Sequence, residues 1–278
     1  MRTPVEWAWL EKFFRSLYSA AGKECRSNKR LIMLELELTV YLVIGLSAFL
    51  VGLAKTGVPG VGILAVSLMA SALPARRSVG VLLGILILGD LFAAGYYRRH
   101  AQWRHVLRLL PIAFCGIAAG YFGLKVVNDD QLGVIIGVIV LAMLCINYLR
   151  TKSGTENVPV PTQWWFAVGI GLLAGVATMM ANAAGPIMII YLVAMRLAKV
   201  EFVGTAAWFF FVINLVKVPF SANLQLMTAE SVKLDLVMLP FVAGGALAGI
   251  VVLKVIPQKV FVAVVQILAA AAAVKLLF

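Results

Sequence analysis

Within an apolar run from Thr39 to Leu73, the stretch Leu53–Gly62, LAKTGVPGVG, cannot continue a regular helix. Gly57, Gly60 and Gly62 loosen the backbone, and Pro59 removes a backbone donor and pushes Val58 out of helical geometry. In hydrocarbon an unpaired N–H or C=O costs several kcal/mol, so irregular backbone persists at that depth only inside protein or along a watery cavity. Lys55 lies within the interruption. At mid-bilayer it costs roughly 2.5–3.5 kcal/mol, which argues that it faces the interior of a bundle. The alternative is a lysine near a helix end whose ammonium snorkels to the interface.

A second interruption, Thr178–Pro186 (TMMANAAGP), again separates two short apolar segments. The surroundings of the two agree. Gly52 falls on Gly175 at a shift of 123, and Gly80 and Asp90 fall on Gly204 and Asn214 at a shift of 124. Pro111, Gly116 and Gly120 fall on Pro240, Gly245 and Gly249 at a shift of 129, which places a few extra residues between Asn214 and Pro240. The chain therefore reads as a duplication, and paired interrupted segments in two halves point to a transporter's binding site.

Composition excludes a soluble globule: 63% of the 278 residues are hydrophobic, 13% are charged, and mean hydropathy is +1.00. The expected fold class is an all-α polytopic membrane protein. A net charge of +12 in a soluble chain would suggest nucleic acid, but here the basic residues gather at segment ends and near the N-terminus, where anionic lipid attracts them. No nucleic acid is expected as a partner. Cys25, Cys115 and Cys145 form no CxxC pair and read as small core residues. His100 and His105 sit in a basic, aromatic loop, Arg98–Arg108, without acidic or cysteine neighbours, so neither a metal site nor a cofactor is expected.

Residues 1–30 interleave Trp7, Trp9, Phe13, Phe14, Leu17 and Tyr18 with charge, including seven basic residues. That pattern predicts an interfacial amphipathic helix, not the apolar core of a cleaved signal peptide. A docking surface for a partner is the alternative. The basic excess places this end in the cytoplasm. A first repeat is expected over residues 31–149, with segments at about Glu37–Ala54, Gly60–Leu73, Ser78–Tyr97, Leu109–Val126 and Leu132–Leu149. The polar stretch 150–162, with Gly154, Asn157, Pro159 and Pro161, is the linker. A second repeat over 163–278 has segments at about Trp164–Met179, Pro186–Arg196, Phe202–Phe220, Leu236–Ile256 and Val260–Leu277. An odd number of elements per half implies inverted repeats, with both termini in the cytoplasm. Whether the chain acts as a monomer or a homodimer stays open at this point.

If the two breaks meet near the bilayer centre, short helix ends converge there, and N-terminal ends present unpaired N–H groups and about half a positive charge each. Lys55 and Lys217 add positive charge, and Thr56, Thr178, Asn182, Thr205 and Asn214 can donate hydrogen bonds. Gly57, Pro59, Gly60, Gly185 and Pro186 shape the backbone around the same place. A small anion fits that inventory as substrate. Asp90 lies in apolar surroundings, where a carboxylate needs a partner. It is the candidate for carrying a coupling proton or cation, or alternatively a structural lock paired with a lysine. No GxSxG, HExxH or GxxxxGK[ST] pattern is present, so an enzyme is not expected.

The stretches GLAKTGVPGVGILAVSLM and ARRSVGVLL, with the second-half copy GLLAGVATMMANAAGPIMIIYLVAM and the following FVGTAAW, resemble the sulfite exporter TauE/SafE family, also called the 4-toluene sulfonate uptake permease group. The resemblance covers about residues 38–278 and leaves the N-terminal helix outside. Where the commonest family form has glycine runs, this chain has KTGVPG and ANAAGP. The resemblance implies transport, without ATP, of sulfite, organosulfonates or related sulfur-containing anions across the inner membrane. Lys55, Thr56, Gly57, Pro59 and Gly60 match the first motif position, and Asn182, Gly185 and Pro186 the second. A reading from another class is an intramembrane enzyme, or an assembly factor that recruits a partner through its N-terminal helix.

Overall fold

The computed structural model describes residues 25–128, 131, 164–257 and 260. The chain divides into two compact units, Met1–Leu42 and Val43–Phe278. Of the first, residues 25–42 are described, all helical; every contact below lies in the second. The amphipathic helix expected over 1–30 lies outside the described residues as far as residue 24. So do the segment expected at 132–149, the linker at 150–162 and, apart from Val260, the segment expected at Val260–Leu277.

Every regular element among the described residues is helical. In order they are α1 (Cys25–Thr56), a 3₁₀ turn (Pro59–Val61), α2 (Gly62–Ala72), α3 (Ala75–Tyr96) and α4 (Trp103–Val126), followed by α5 (Trp164–Ala181), α6 (Gly185–Ala194), α7 (Lys199–Asn223), α8 (Ala229–Val237) and α9 (Leu239–Val255). Among the described residues four helices are long and apolar enough to cross a membrane, and the number is five if α8 and α9, bent by 51° at their junction, count as one broken span. This is a multi-pass membrane protein.

Two elements differ from expectation. α4 starts at Trp103, inside the supposed basic loop, because Val106, Leu109, Leu110 and Ala113 recur at helical spacing and are buried. The extra residues of the second half form α8, which the sequence pattern did not predict. It starts at Thr228, whose side chain accepts from the Ser231 amide while Ser231 Oγ accepts from the Thr228 amide.

α4 packs most extensively on α5, and α3 on α7. Close helix approach rests on glycine. A Cβ on Gly175 would collide with the Ala113 carbonyl and Gly116, and one on Gly52 with the Val242 carbonyl and Ala246, beside Gly245. At the offsets noted above, Gly52 falls on Gly175 and Gly116 on Gly245, so the two close approaches involve the same matched positions. Further contacts fall at similar offsets. Gly80 abuts the Leu226 carbonyl, and Gly204 the Tyr97 carbonyl. Arg76 donates to the carbonyls of Leu124 and Val127 at 3.3 and 2.6 Å, and Lys199 to those of Leu253 and Ile256 at 2.7 and 2.6 Å.

Candidate functional site

Both interruptions are real breaks between helices. α1 ends at Thr56, with the Gly57 and Val58 amides both donating to the Leu53 carbonyl at 2.9 and 3.1 Å. Val58 is extended at φ −128°, ψ 83°, as a residue before proline should be, and Pro59 opens the 3₁₀ turn. Ser47 Oγ donates to the Ala65 carbonyl at 2.8 Å, which holds α2 back alongside α1. In the second break, Asn182 adopts a left-handed φ of 52° and its amide bonds the Thr178 carbonyl at 3.1 Å, a helix stop that asparagine tolerates better than most residues. α6 then restarts with Pro186 in its first turn, where a missing N–H costs nothing and the remaining first-turn amides have no intrahelical acceptor.

The 3₁₀ turn of the first break packs on α6 of the second, and a cavity opens between them. Lys55, Pro59 and Gly62 line it from the first break, Thr178, Asn182 and Gly185 from the second, and Phe210 and Asn214 from α7. It offers about 70 Å³ to water-sized solutes. One water occupies roughly 10–15 Å³ on that scale, so the space suits several waters or one small solute.

The expected site residues are distributed unequally around this cavity. Lys55, Pro59, Thr178, Asn182, Gly185 and Asn214 line it. Lys217 stands behind that wall, fully buried, with its ammonium donating to Thr178 Oγ1 at 3.2 Å and to Asn182 Oδ1. Asp90 is likewise fully buried and does not line the cavity; its partners are Lys55 at 2.7 Å and the Asn214 amide at 2.6 Å. Thr56 turns toward α9, donating to the Ala246 carbonyl at 2.7 Å and to Gly52 within its own helix at 3.0 Å. Gly57 abuts Gly249, and Gly60 is buried in the 3₁₀ turn. Thr205 accepts from the Gln102 amide at 2.9 Å, pinning the loop before α4. Pro186 contributes through backbone position.

Charge at the site is uneven. Lys55 has a carboxylate partner, while Lys217 contacts neutral oxygens and has no acidic partner among the described residues. With both lysines protonated and Asp90 ionised, the cluster carries one net positive charge in low-dielectric surroundings, a state that a neighbouring anion stabilises. Asn182 joins the halves of this network, because its Nδ2 also donates to the Val79 carbonyl of α3 at 2.9 Å. Chemically, such a cluster attracts and orients an anion. Among the described residues no group of three or more His, Cys, Asp or Glu is placed to hold a metal.

Sequence reasoning overlooked Phe210, whose ring lies 4.2 Å from the Lys55 ammonium and borders the cavity. A signal existed: Phe210, Asn214, Lys217 and Ser221 follow one another at helical spacing on a single face of α7. Asp235 of α8 was also passed over; it is 3% exposed, with both carboxylate oxygens unpartnered and facing Gly84. Nothing in its local sequence signals that burial.

Neither a curated protein nor a solved structure matches the chain. The family model described as sulfite exporter TauE/SafE matches residues 44–276. That span holds both breaks, the cavity between them and the lysines beside it, and a match over so much of the chain means that this protein belongs to the TauE/SafE family of membrane transporters of sulfur-containing anions.

Proposed function

We propose that this protein is a secondary transporter that exports small anions, sulfite and organosulfonates foremost, and binds them in the cavity between the two breaks. The observation that carries the proposal is Lys217: an amine fully buried beside the cavity whose partners among the described residues are the neutral oxygens of Thr178 and Asn182, so that its protonated form lacks a negative partner. A buried ion pair missing one partner costs several kcal/mol, and a bound anion supplies that partner. Lys55, the α6 first-turn amides at Gly185 and Ile187, and the Thr178, Asn182 and Asn214 side chains offer the donors. Asp90, beside Lys55, takes up the coupling proton or cation.

The two halves are inverted repeats, each built around one break, and a single interfacial amphipathic helix precedes the first of them. Support comes from the doubled contacts, in which Gly52 meets the Gly245 region and Gly175 meets Gly116, so that corresponding surfaces exchange halves. The protein sits in the bacterial inner membrane with both termini in the cytoplasm, as the basic N-terminal stretch favours.

The test is uptake of labelled sulfite, sulfonates and carboxylates into proteoliposomes. Sulfur oxyanions should move and Lys55→Ala should slow them at least tenfold; a Lys55→Ala protein with parental flux would remove the breaks from the transport path.

A further inference from the structure

We propose that Asp90 is a built-in competitor of the transported anion: it holds Lys55 in the empty cavity, and an arriving anion binds by displacing it while Asp90 takes up a proton. This rests on the anion site proposed above and adds what sets the affinity there.

Lys55 faces two ways. Its side chain lines the cavity and is 12% exposed, with the ammonium over the Phe210 ring, yet the same ammonium is 2.7 Å from Asp90 Oδ1. Asp90 is fully buried and absent from the lining, so an entering solute meets the lysine and not the carboxylate. The carboxylate cannot turn away, because Asn214 holds its other oxygen at 2.6 Å. Nor does a second cation stand ready for it, since Lys217 is engaged with Thr178 and Asn182. An anion that draws Lys55 to itself therefore leaves a buried carboxylate with one neutral donor, a state that protein interiors strongly disfavour. Affinity for the anion is reduced accordingly, which suits a carrier that must release what it binds.

Charge balance names the remedy. A proton from solvent forms an O–H bond at Asp90 as a monoanion such as hydrogen sulfite takes over the Lys55 ammonium, and the net charge of the cluster with its bound anion is unchanged. Among the described residues the elements packed on α3 bring no cation that replaces it: on α7 Lys199 donates to the Leu253 and Ile256 carbonyls and Glu201 accepts from Gln102. α2 carries no charged residue, Lys254 of α9 lies 5.8 Å from the Tyr96 ring at the end of α3, and on α8 Asp235 faces Gly84 while Glu230 and Lys233 are exposed.

Titration calorimetry of the purified full-length protein with sodium sulfite, in buffers of different ionisation enthalpy, reads both affinity and proton uptake. The parent should take up protons as it binds sulfite. Asp90→Asn, which keeps the shape and frees Lys55, should bind sulfite at least about tenfold more tightly, with the proton uptake lost. Adding Lys55→Gln to it should abolish the gain. Sulfite binding by the parent without proton uptake overturns the inference whether or not the variants fold, as does a folded Asp90→Asn that binds no tighter. A parent that binds neither sulfite nor sulfonates overturns the anion site itself.

Discussion

Giving Lys217 the carboxylate it lacks should separate stability from function. Asn182→Asp replaces one amide by a carboxylate of the same shape, and Asp tolerates the left-handed φ of 52° nearly as well as Asn. Lys217 already donates to Asn182 Oδ1, so the new charge forms against a fully buried ammonium. Leaving a buried charge unpaired costs about 3–5 kcal/mol, which is the scale of what pairing restores. Against it stands the lost donor to the Val79 carbonyl at 2.9 Å, worth about 1–3 kcal/mol. A net gain on the order of 1–2 kcal/mol raises the melting temperature by a few degrees. The same change removes the excess positive charge. Asn182 lines the cavity, and at an effective dielectric of about 20 like charges about 4 Å apart repel by about 4 kcal/mol, so sulfite affinity should fall at least about tenfold. Thermal melting and sulfite titration on one preparation check both signs. A variant that melts higher and still binds sulfite with parental affinity would refute the assignment of Lys217 as the charge that draws the anion.

Two further outcomes concern the scaffold. Gly175→Ala should destabilise by about 1–3 kcal/mol through overpacking, because its Cβ meets the Ala113 carbonyl and Gly116 across the α4–α5 interface, whereas Gly169→Ala on the same helix, with open space around it, should be neutral or better; melting of the two in detergent makes the comparison. Asp235→Asn should raise the melting temperature by the equivalent of roughly 1 kcal/mol or more, since it removes a carboxyl that has no hydrogen-bond partner among the described residues and whose ionised form is disfavoured both by burial and by the last turn of α8; an unchanged or lower melting point would show that the carboxylate has a partner.

The breaks were legible because the rule behind them is local. Gly57, Pro59 and the ANAAGP stretch interrupt helices through their own backbones, whatever surrounds them. The meeting of Asp90 with Asn214 was half legible: the offset of 124 sets them at matching places in the expected duplication, and they bond each other at 2.6 Å. Thr56 and Thr205 were not distinguishable from Thr178 by sequence, since each is a threonine near a break or on an inward-facing helix. Their hydroxyls are claimed by the Ala246 carbonyl and the Gln102 amide, 190 and 103 residues away.

From its sequence alone this chain is determined to be a membrane-embedded helical protein with two interruptions, because long continuous apolar segments pair their own backbone in hydrocarbon only as helices, and because glycine and proline act where they stand. Which lysine is neutralised and which is left with neutral partners was decided only by tertiary packing. That outcome depends on α3 and α7 bringing Asp90 to Lys55 and Thr178 and Asn182 to Lys217, and a side chain's charge balance is set by the surfaces that enclose it, not by its neighbours in the chain.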